Sequence, residues 1–472
     1  MSSFPSLPPE INEKLQQIDF SSPPAVSPIQ QEWDFLKEAE TEFKKFMADK
    51  HIKTTKDLEY GPVLYLLHQL PQHYVNVLIH FGMPATTITK KDWDTWYKDI
   101  KDGPGVVAPD GTLYLEQCYA QLDPKWTEAL FYYLLHRWLQ WTDAKFGTHP
   151  RVMNVTGQQQ LTIAIMGDWG TGLYNDNGYP SPSSLVGKAM AGLQPVPDIT
   201  LHLGDVYYAG LEKEESDKLL ASFPKGRLAN FTLNSNHEMY DGARGYFYTA
   251  LANPLFKPHQ NETSYFAITF GNWVIVALDT AFYDKSTMYM DGALYDKDQL
   301  QFIKGLNISP SQKIILMTHH TGLTADGTQL TNPSYDGTGG KSPLFTQVLR
   351  AFNGRCPDYW YYGHIHNGIV YNEQSFAGKY KCPSGLSPRL RCVGHAAIPF
   401  GKGTGLFAGN KNIPGISYFA QTPVPPNSNP INPFLANRVL NGFAVITLTG
   451  SGISEQFYEV SPTTGMQKVW SS

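Results

Sequence analysis

Residues 161–170 read LTIAIMGDWG and residues 199–210 read ITLHLGDVYYAG, and in both a short apolar run stops abruptly at a polar, glycine-containing turn. The same rhythm recurs in ANFTLNSNHEMYDG, NWVIVALDT, KIILMTHHTG and PDYWYYGHIHNG. Short apolar runs bounded by turns are typical of buried strands, and the helical stretches between them predict an α/β layered fold. In such sheets the residues just beyond the carboxyl ends of the strands form the functional site.

The composition of the 472-residue chain is that of an ordinary globular protein, with 42% hydrophobic and 17% charged residues and a mean hydropathy of -0.31. This balance excludes a wholly disordered, collagenous or coiled-coil chain, and the length predicts two or three folded units. The 37 Lys and Arg against 42 Asp and Glu give a net charge of -5. Because basic residues are not in excess, we expect no binding to nucleic acid or to anionic membranes.

The chain divides into three predicted parts. Residues 1–30 are rich in Pro and Ser and predict a mobile arm, whereas residues 31–150 carry apolar side chains at helical spacing and predict a separate N-terminal helical domain of unknown role. Residues 160–472 contain the strand-like runs and predict the main α/β domain. Within it, residues 376–437 are rich in Gly, Pro, Lys and Arg and predict a long irregular loop insertion. The final alternating segments, GFAVITLTGSG and EQFYEV, predict an antiparallel hairpin.

Four cysteines are too few for a disulfide framework in a chain of this length. Cys382 and Cys392 are close enough to close a small loop in an oxidising compartment, and the sequence leaves open whether they pair. Cys118 and Cys356 are expected to be buried thiols. The opening residues, MSSFPSLPPEINEKLQQIDFSSPP, contain no apolar h-region, and no stretch of the sequence is apolar over the roughly 20 residues that a membrane span needs. We therefore expect an intracellular, cytoplasmic protein, and the oligomeric state stays open.

The predicted strands end in oxygen and imidazole donors. In chain order the donors are Asp168, Asp205, Tyr208, Asn236, the pair His319 and His320, His364 and His366. A set of carboxylate, amide, phenolate and imidazole groups without cysteine suits hard to borderline cations such as iron, zinc or manganese. The set exceeds the needs of one ion, whereas two ions about 3.5–4 Å apart, bridged by one carboxylate, would use it.

Each motif also has an interpretation that needs no metal. A Gly-Asp pair after a strand is usually a turn, because glycine permits a positive φ and aspartate caps the next helix. A single histidine in a turn is more often solvated than bound to metal, and a His-x-His pattern also occurs by chance. The ordered set, with each member directly after an apolar run, is more specific than any single motif and predicts a dinuclear metal site.

The ordered motifs resemble those of the calcineurin-like metallophosphoesterases, which run GDxH or GDxG, GDxxY or GDxxG, GNH[DE], a histidine after a strand, and GHxH. The similarity covers residues 160–450 and leaves the N-terminal region uncovered. GDWG at residues 167–170 lacks the histidine of most branches, while GDVYY supplies Tyr208, and this exchange is similar to the purple acid phosphatases. The resemblance implies a four-layer α/β/β/α sandwich and makes residues 160–472 the catalytic domain of a phosphoester hydrolase.

The resemblance also implies two metal ions, a ferric iron and a divalent zinc, iron or manganese, bridged by Asp205. The ligands would be Asp168, Tyr208 and His366 for the ferric ion, and Asn236, His319 and His364 for the divalent one. Phenolate is a hard anionic donor that suits a trivalent ion, whereas neutral amide and imidazole groups suit a divalent one. His320 would be a fallback ligand or lie near the substrate.

By the same resemblance, His237 would face the substrate as general acid and protonate the leaving alkoxide, a step that contributes roughly 10² to 10⁴-fold. A purely structural role for His237 stays open. The nucleophile would be a metal-bound hydroxide, because coordination lowers the pKa of water from about 15.7 to about 7. His395 and Lys402 lie in the glycine-rich tract RCVGHAAIPFGKGTG, which would either contact substrate phosphate or form a structural flap.

The third motif departs from the family pattern, because Ser235 stands where glycine is usual. If that position needs a positive φ, serine would be strained there.

The reaction implied is hydrolysis of a phosphomonoester by direct attack of the hydroxide. A phosphodiesterase with the same site is a close alternative, because the width of the pocket is not visible in a sequence. A non-catalytic metal-binding scaffold or regulatory protein is a further alternative. The predicted partner is accordingly a phosphorylated small molecule or another phosphoester.

Overall fold

A computed structural model of the protein describes residues 144–472 apart from 177, 295–296, 373–381, 384–387, 400–405, 407–414 and 427–437, together with residues 106–107, 113–114, 119, 129, 132–133 and 136. The predicted arm, residues 1–30, and most of the predicted helical domain, residues 31–150, lie outside the described residues. Within the described residues, every helix is too short or too polar to traverse a lipid bilayer.

The described strands form two large sheets and three two-stranded pairs. In chain order they are β1 (Val106–Val107), β2 (Leu113–Tyr114), β3 (Val152–Asn154), β4 (Leu161–Met166), β5 (Asn175–Asp176), β6 (Tyr179–Pro180), β7 (Ile199–His202), β8 (Ala229–Thr232), β9 (Phe266–Phe270), β10 (Trp273–Ala277), β11 (Lys313–Thr318), β12 (Ser334–Tyr335), β13 (Lys341–Ser342), β14 (Tyr359–Tyr362), β15 (Gly368–Tyr371), β16 (Arg389–Val393), β17 (Ile416–Phe419), β18 (Gly442–Leu448), β19 (Ile453–Ser461) and β20 (Gly465–Ser471). The six-stranded sheet has the order β20-β19-β18-β4-β7-β8, and the eight-stranded sheet has the order β17-β15-β16-β14-β11-β10-β9-β3.

Short helices connect these strands. The α-helices of the described residues are α1 (Pro182–Ala191), α2 (Glu212–Glu214), α3 (Asn236–Met239), α4 (Lys257–Gln260), α5 (Lys297–Gly305) and α6 (Leu344–Ala351). Single π-helical turns span Glu215–Leu219 and Tyr246–Ala250, and 3₁₀ turns span Leu220–Ser222 and Thr287–Tyr289. Helix α1 begins after an N-cap serine with proline at its first position, which is a favourable start for a helix.

The apolar runs that the sequence singles out are strands in the structure, as predicted. β4, β7 and β8 are parallel neighbours, with Leu201 opposite both Ile165 and Phe231. β10, β11 and β14 are parallel neighbours in the other sheet. Parallel strands point the same way, so their carboxyl ends share one edge of the sheet, and the polar turns after them lie close together there.

The two sheets pack face to face, with helices on both outer surfaces. Ile163 of β4 lies between the sheets in one apolar cluster with Ile268 of β9. Met166 points to the opposite face of β4 and packs in a cluster that includes helix α1. On the far side, Val274 of β10 packs in a cluster with helices α5 and α6. Burial of each aliphatic side chain contributes about 1.5–3 kcal/mol. The layers confirm the predicted α/β/β/α sandwich.

The predicted irregular insertion, residues 376–437, contains two strands of the eight-stranded sheet. β16 pairs with β14 and β15, and β17 pairs with β15. The sequence of β16 does not look like a buried strand because it carries Arg391, whose charge is balanced inside the protein by a bidentate ion pair with Glu455 of β19. Much of the rest of this tract lies outside the described residues.

Three further parts of the chain can be compared with what their sequence predicts. β1 and β2 form an antiparallel pair within residues 31–150, which were predicted to be helical. β3 pairs with β9, so the eight-stranded sheet includes residues before the predicted domain start at 160. The predicted C-terminal hairpin is confirmed, and it is extended by a third antiparallel strand, β20.

The cysteine pairing differs from the expectation. Cys356 forms a disulfide with Cys382, with Cα atoms 5.8 Å apart, so the predicted free thiol at Cys356 is wrong. Cys392 is a buried free thiol in β16, with its sulfur 3.1 Å from the Asn367 carbonyl oxygen, and does not pair with Cys382. Cys118 lies outside the described residues.

Replacing Cys356 with serine should lower the free energy of unfolding by about 3 kcal/mol, because the disulfide spans a sequence separation of 26 and restricts the unfolded chain. Urea unfolding of the wild type and the variant, each with and without a reductant, measures the difference. The reductant should destabilise the wild type to the level of the variant and leave the variant unchanged. A variant as stable as the oxidised wild type would contradict the pairing.

Candidate metal centre

The turns after the parallel strands carry the candidate ligands. Asp168 follows β4, Asp205 follows β7, and His319 directly follows β11. Four of the candidates have a positive φ although none is glycine: Asp168 (57°), Asp205 (77°), His364 (69°) and His366 (48°). Such left-handed backbone costs about 1–3 kcal/mol for each residue and is concentrated at functional sites. The fold therefore tolerates local strain to direct these side chains to one place.

One half of the centre lies on the Oδ1 side of Asp205. The Nε2 atom of His319 is 3.3 Å from Asp205 Oδ1, 2.9 Å from Asn236 Oδ1 and 3.2 Å from His364 Nδ1. Asn236 Oδ1 and His364 Nδ1 are themselves 3.2 Å apart. Four donor atoms from four separate turns thus converge on one small volume.

The other half lies on the Oδ2 side of Asp205. The Tyr207 hydroxyl oxygen is 2.8 Å from Asp205 Oδ2 and 2.7 Å from His366 Nε2. His366 Nε2 is 3.4 Å from Asp168 Oδ1 and 3.7 Å from Asp205 Oδ2. The two oxygens of Asp205 therefore face different donor sets, which is an arrangement that suits a carboxylate bridging two cations.

The donors on the Oδ1 side present lone pairs to one another. His319 Nδ1 donates to the Leu203 carbonyl oxygen at 2.8 Å, and burial lowers the pKa of His319 to about 3, so its Nε2 carries a lone pair and no hydrogen. Asn236 Nδ2 donates to the Tyr240 hydroxyl at 3.1 Å, which turns Asn236 Oδ1 toward His319. Asp205 Oδ1 is also an acceptor. Electron-rich atoms at this spacing without a hydrogen between them fit a bound cation.

The two aspartates point to the same conclusion. Burial and the negative charge of Asp205 raise the pKa of Asp168 well above its usual range. Burial alone would raise the pKa of Asp205 too, but His237, His319 and hydrogen bonds outweigh it and hold that pKa well below its usual range. Ligand atoms of Asp168, Asp205 and His319 lie within 4.8 Å of one another. A cation among them would let both carboxylates remain ionised.

His237 lies beside the donors without joining either set. Its Nδ1 donates to the Tyr208 carbonyl oxygen at 2.8 Å, and its Nε2 is 3.9 Å from Asp205 Oδ2. The ring packs on Tyr207, with centroids 4.1 Å apart, and on Tyr240. Burial lowers the pKa of His237, although Asp205 opposes this shift. The ring is therefore held with Nε2 directed at the centre and available for proton transfer.

The structure differs from the prediction at the tyrosine. The Tyr208 ring stacks on Tyr119, with centroids 4.7 Å apart, and its hydroxyl accepts from the Tyr119 backbone N–H at 3.3 Å, away from the donors. Tyr207 occupies the expected position instead. The motif GDVYY contains two adjacent tyrosines, which lie in a turn and direct their side chains to different places. The motif by itself could not decide which of them faces the centre.

Two predicted substrate contacts, His320 and His395, are enclosed by the fold. His320 is 1% exposed, and its nitrogens contact the Thr280 hydroxyl and the Tyr289 carbonyl oxygen, both at 2.8 Å. His395 is fully buried, where a Cβ on Gly368 or Gly442 would come within 2.6 or 2.8 Å of its ring. His320 nevertheless lies beside the donors on the Oδ1 side, because ligand atoms of His319, His320 and His364 lie within 4.8 Å of one another. Lys402 lies outside the described residues.

Ser235 and Glu238 are buried neighbours of the donors. Ser235 has an extended backbone with φ -138°, so the anticipated strain is absent there. Its hydroxyl contacts carboxylate oxygens of both Asp205 and Glu238. Burial and the charge of Asp205 raise the pKa of Glu238 to about 8. The departure from glycine at Ser235 was the only signal in the sequence for this contact.

Described residues from the predicted helical domain touch the wall of the centre. The Tyr133 ring packs edge-on against Tyr240, whose hydroxyl contacts Asn236, and against Tyr289. His136 Nε2 is 3.3 Å from Asp241 Oδ1. The N-terminal region is therefore in contact with the elements that carry the candidate ligands.

Residues 161–368 match the family model of the calcineurin-like phosphoesterases. No curated protein matches the chain. Among solved structures, purple acid phosphatase PPD1 from yellow lupin (Lupinus luteus) seeds is similar at 17% identity and a TM-score of 0.43, and the match covers 68% of this chain and 54% of that chain. GAP50, the anchor in the inner membrane complex of Plasmodium, is similar at 14% identity and a TM-score of 0.40, and the match covers 67% of this chain and 88% of that chain. PhoD is similar at 13% identity and a TM-score of 0.41, and the match covers 67% of this chain and 73% of that chain.

The family match and the centre coincide. The matched segment contains the turns that carry Asp168, Asp205, Asn236, His319, His364 and His366. The match to the lupin enzyme spans only 54% of that chain. Residues 161–368 of the chain are therefore similar to the calcineurin-like phosphoesterases.

Proposed function

We propose that the protein hydrolyses phosphate monoesters at a centre of two cations, in the manner of a purple acid phosphatase. The observation that carries the proposal is the division of the Asp205 carboxylate between two donor sets. Its Oδ1 faces His319 at 3.3 Å, and its Oδ2 faces the Tyr207 hydroxyl at 2.8 Å. A single cation would leave one set unused.

The chain would hold the two cations on opposite sides of Asp205. Asp168, Tyr207 and His366 would bind one, and Asn236, His319 and His364 would bind the other. Burial raises the pKa of the Tyr207 phenol well above its usual range, so only a strongly polarising ion would bind it as phenolate. This favours ferric iron there and divalent zinc, iron or manganese in the other set. When bound, such ions would activate a water molecule and offset the charge on phosphoryl oxygens.

His237 would act as the general acid. Its Nδ1 hydrogen is committed to the Tyr208 carbonyl oxygen, so Nε2 is the atom that would carry the transferable proton. A phosphate dianion near the ring would raise the pKa that burial lowers, because negative charge favours imidazolium. As the bond from phosphorus to the leaving oxygen breaks, the Nε2 hydrogen would pass to that oxygen. A dianionic monoester gains more from two cations than a monoanionic diester does.

Metal analysis combined with a substrate panel tests this proposal. We expect two cations for each chain and faster hydrolysis of aryl and alkyl phosphate monoesters than of bis(p-nitrophenyl) phosphate. Faster turnover of the diester would favour the phosphodiesterase alternative. Two bound cations without hydrolysis of either class would favour a metal-binding scaffold, and a protein that binds no cation would contradict the proposed centre.

Replacing Tyr207 with phenylalanine should abolish the visible phenolate-to-iron absorption of the iron-loaded protein, because the hydroxyl near Asp205 Oδ2 is lost. Tyr208→Phe is the matched control, since the Tyr208 ring stacks on Tyr119 and its hydroxyl lies away from the donors. Absorption spectra of the two iron-loaded variants make the comparison. Loss of colour in Tyr208→Phe but not in Tyr207→Phe would instead support the ligand that the family motif implies.

A further inference from the structure

The hydroxyl of Ser235 is placed to control the orientation of Asp205. Ser235 is fully buried and is the N-cap of helix α3, where its Oγ accepts from the His237 backbone N–H at 3.0 Å. The same oxygen contacts Asp205 Oδ1 and Glu238 Oε2. Glycine, which is usual at this position in the family motif, could make none of these contacts.

The backbone conformation at Ser235 neither requires glycine nor disfavours serine. Its φ of -138° and ψ of 179° are extended values that any residue adopts. The serine is therefore distinguished by its hydroxyl. A hydroxyl offers one hydrogen and two lone pairs, so it can accept from the His237 N–H and donate to a carboxylate at the same time.

The contact also joins the turn that carries Asp205 to the helix that begins at Asn236. Asp205 belongs to the turn after β7, whereas Asn236 and His237 begin the helix after β8. The Ser235 hydroxyl joins these two turns, and Glu238 Oε1 joins them a second time by accepting from the Val206 backbone N–H at 3.1 Å. Rotation of the Asp205 carboxylate would break the Ser235 contact and remove Oδ1 from the His319 side.

We propose that Ser235 is a positioning residue that holds the Asp205 carboxylate with one oxygen toward each cation. The proposal rests on the proposed function, because it assumes that Asp205 binds the cations. Groups that orient a metal ligand typically affect metal affinity by about 10–100-fold when they are removed. A serine that merely capped helix α3 could act on metal affinity only through Asn236, the first residue of that helix. In an Asn236→Ala background, loss of such a cap would have no further effect on affinity, whereas loss of the contact with Asp205 would still lower it.

The test compares Ser235→Ala with Ser181→Ala in the full chain. Ser181 is also a buried N-cap serine, and among the described residues its hydroxyl contacts Gly172, Ser183 and Ser184 rather than the donors. Zn²⁺ affinity is measured on metal-free protein by competition with a chelating dye. Circular dichroism checks folding, and thermal unfolding without metal measures the loss of the cap.

We expect Ser235→Ala to bind Zn²⁺ about 10–100-fold more weakly than the wild type. Ser181→Ala should lower the thermal midpoint and bind Zn²⁺ like the wild type. Equal affinities of Ser235→Ala and the wild type would overturn the proposal, as would an equal loss of affinity in Ser181→Ala. If Ser235→Ala does not fold, Ser235→Thr retains a hydroxyl and should bind Zn²⁺ like the wild type, and weaker binding by it would overturn the proposal.

The proposed function and the proposed role of Ser235 can be contradicted by different results. A wild-type chain that binds no Zn²⁺ would contradict the proposed function, and the role of Ser235 with it. A wild type that binds Zn²⁺ while Ser235→Ala binds it equally well would contradict the role of Ser235 alone.

Discussion

Replacement of Asp205 with asparagine should remove both cations and reduce kcat/KM by at least about 10³-fold, which corresponds to a loss of about 4 kcal/mol of transition-state stabilisation. Asparagine keeps the shape of the side chain but supplies one weak oxygen donor in place of two anionic ones. Because each oxygen of Asp205 faces a different donor set, the substitution weakens both halves of the centre at once. Elemental analysis and steady-state kinetics measure the two effects.

Asp198→Asn is a suitable control for this experiment. Asp198 is also buried, but it lies just before β7, at the end opposite to Asp205, where its carboxylate accepts from the Thr162 backbone N–H at 2.9 Å. The control should change stability without changing metal content. An Asp205→Asn variant that retained two cations and wild-type activity would contradict the bridging role.

Replacement of His237 with asparagine should slow the hydrolysis of alkyl phosphates by about 10² to 10⁴-fold while metal content stays at the wild-type value. Alkoxides are poor leaving groups and need a proton as the ester bond breaks, whereas p-nitrophenolate leaves without one. The variant should therefore hydrolyse p-nitrophenyl phosphate with a much smaller loss. The two substrates serve as each other's control, because both bind the same centre.

The ratio of the two losses decides the role of His237. An equal loss for both substrates would indicate that the ring binds phosphate or maintains the local structure. Loss of metal in His237→Asn would indicate that the ring belongs to a donor set, despite the 3.9 Å between its Nε2 and Asp205 Oδ2.

The contact of Ser235 with Asp205 distinguishes the candidate centre from the family motif. Where the family motif has glycine, the carboxylate that follows the second strand would depend on other groups for its orientation. Here a buried hydroxyl joins that carboxylate to the helix that carries Asn236 and His237. The proposed ligand Asp205 and the proposed acid His237 are therefore coupled through one side chain.

Much of the fold could be predicted because apolar runs and their ends are local properties. Each run is long enough for one buried strand, and parallel strands bring their carboxyl ends to one edge. It could therefore be predicted, without knowing how the side chains are oriented, that Asp168, Asp205 and His319 lie close together. The strand β16 was missed for the opposite reason, because Arg391 looks like a surface residue until its partner Glu455 is known.

The sequence by itself determined the layered α/β architecture and the set of turns that meet at the centre, since both follow from hydrophobic pattern and strand direction. Only the tertiary structure decided that Tyr207 rather than Tyr208 faces Asp205, that Cys382 pairs with Cys356, and that His395 is enclosed. These outcomes depend on side-chain direction and on distances between segments remote in the chain. Neither quantity is encoded in the spacing of residues along it.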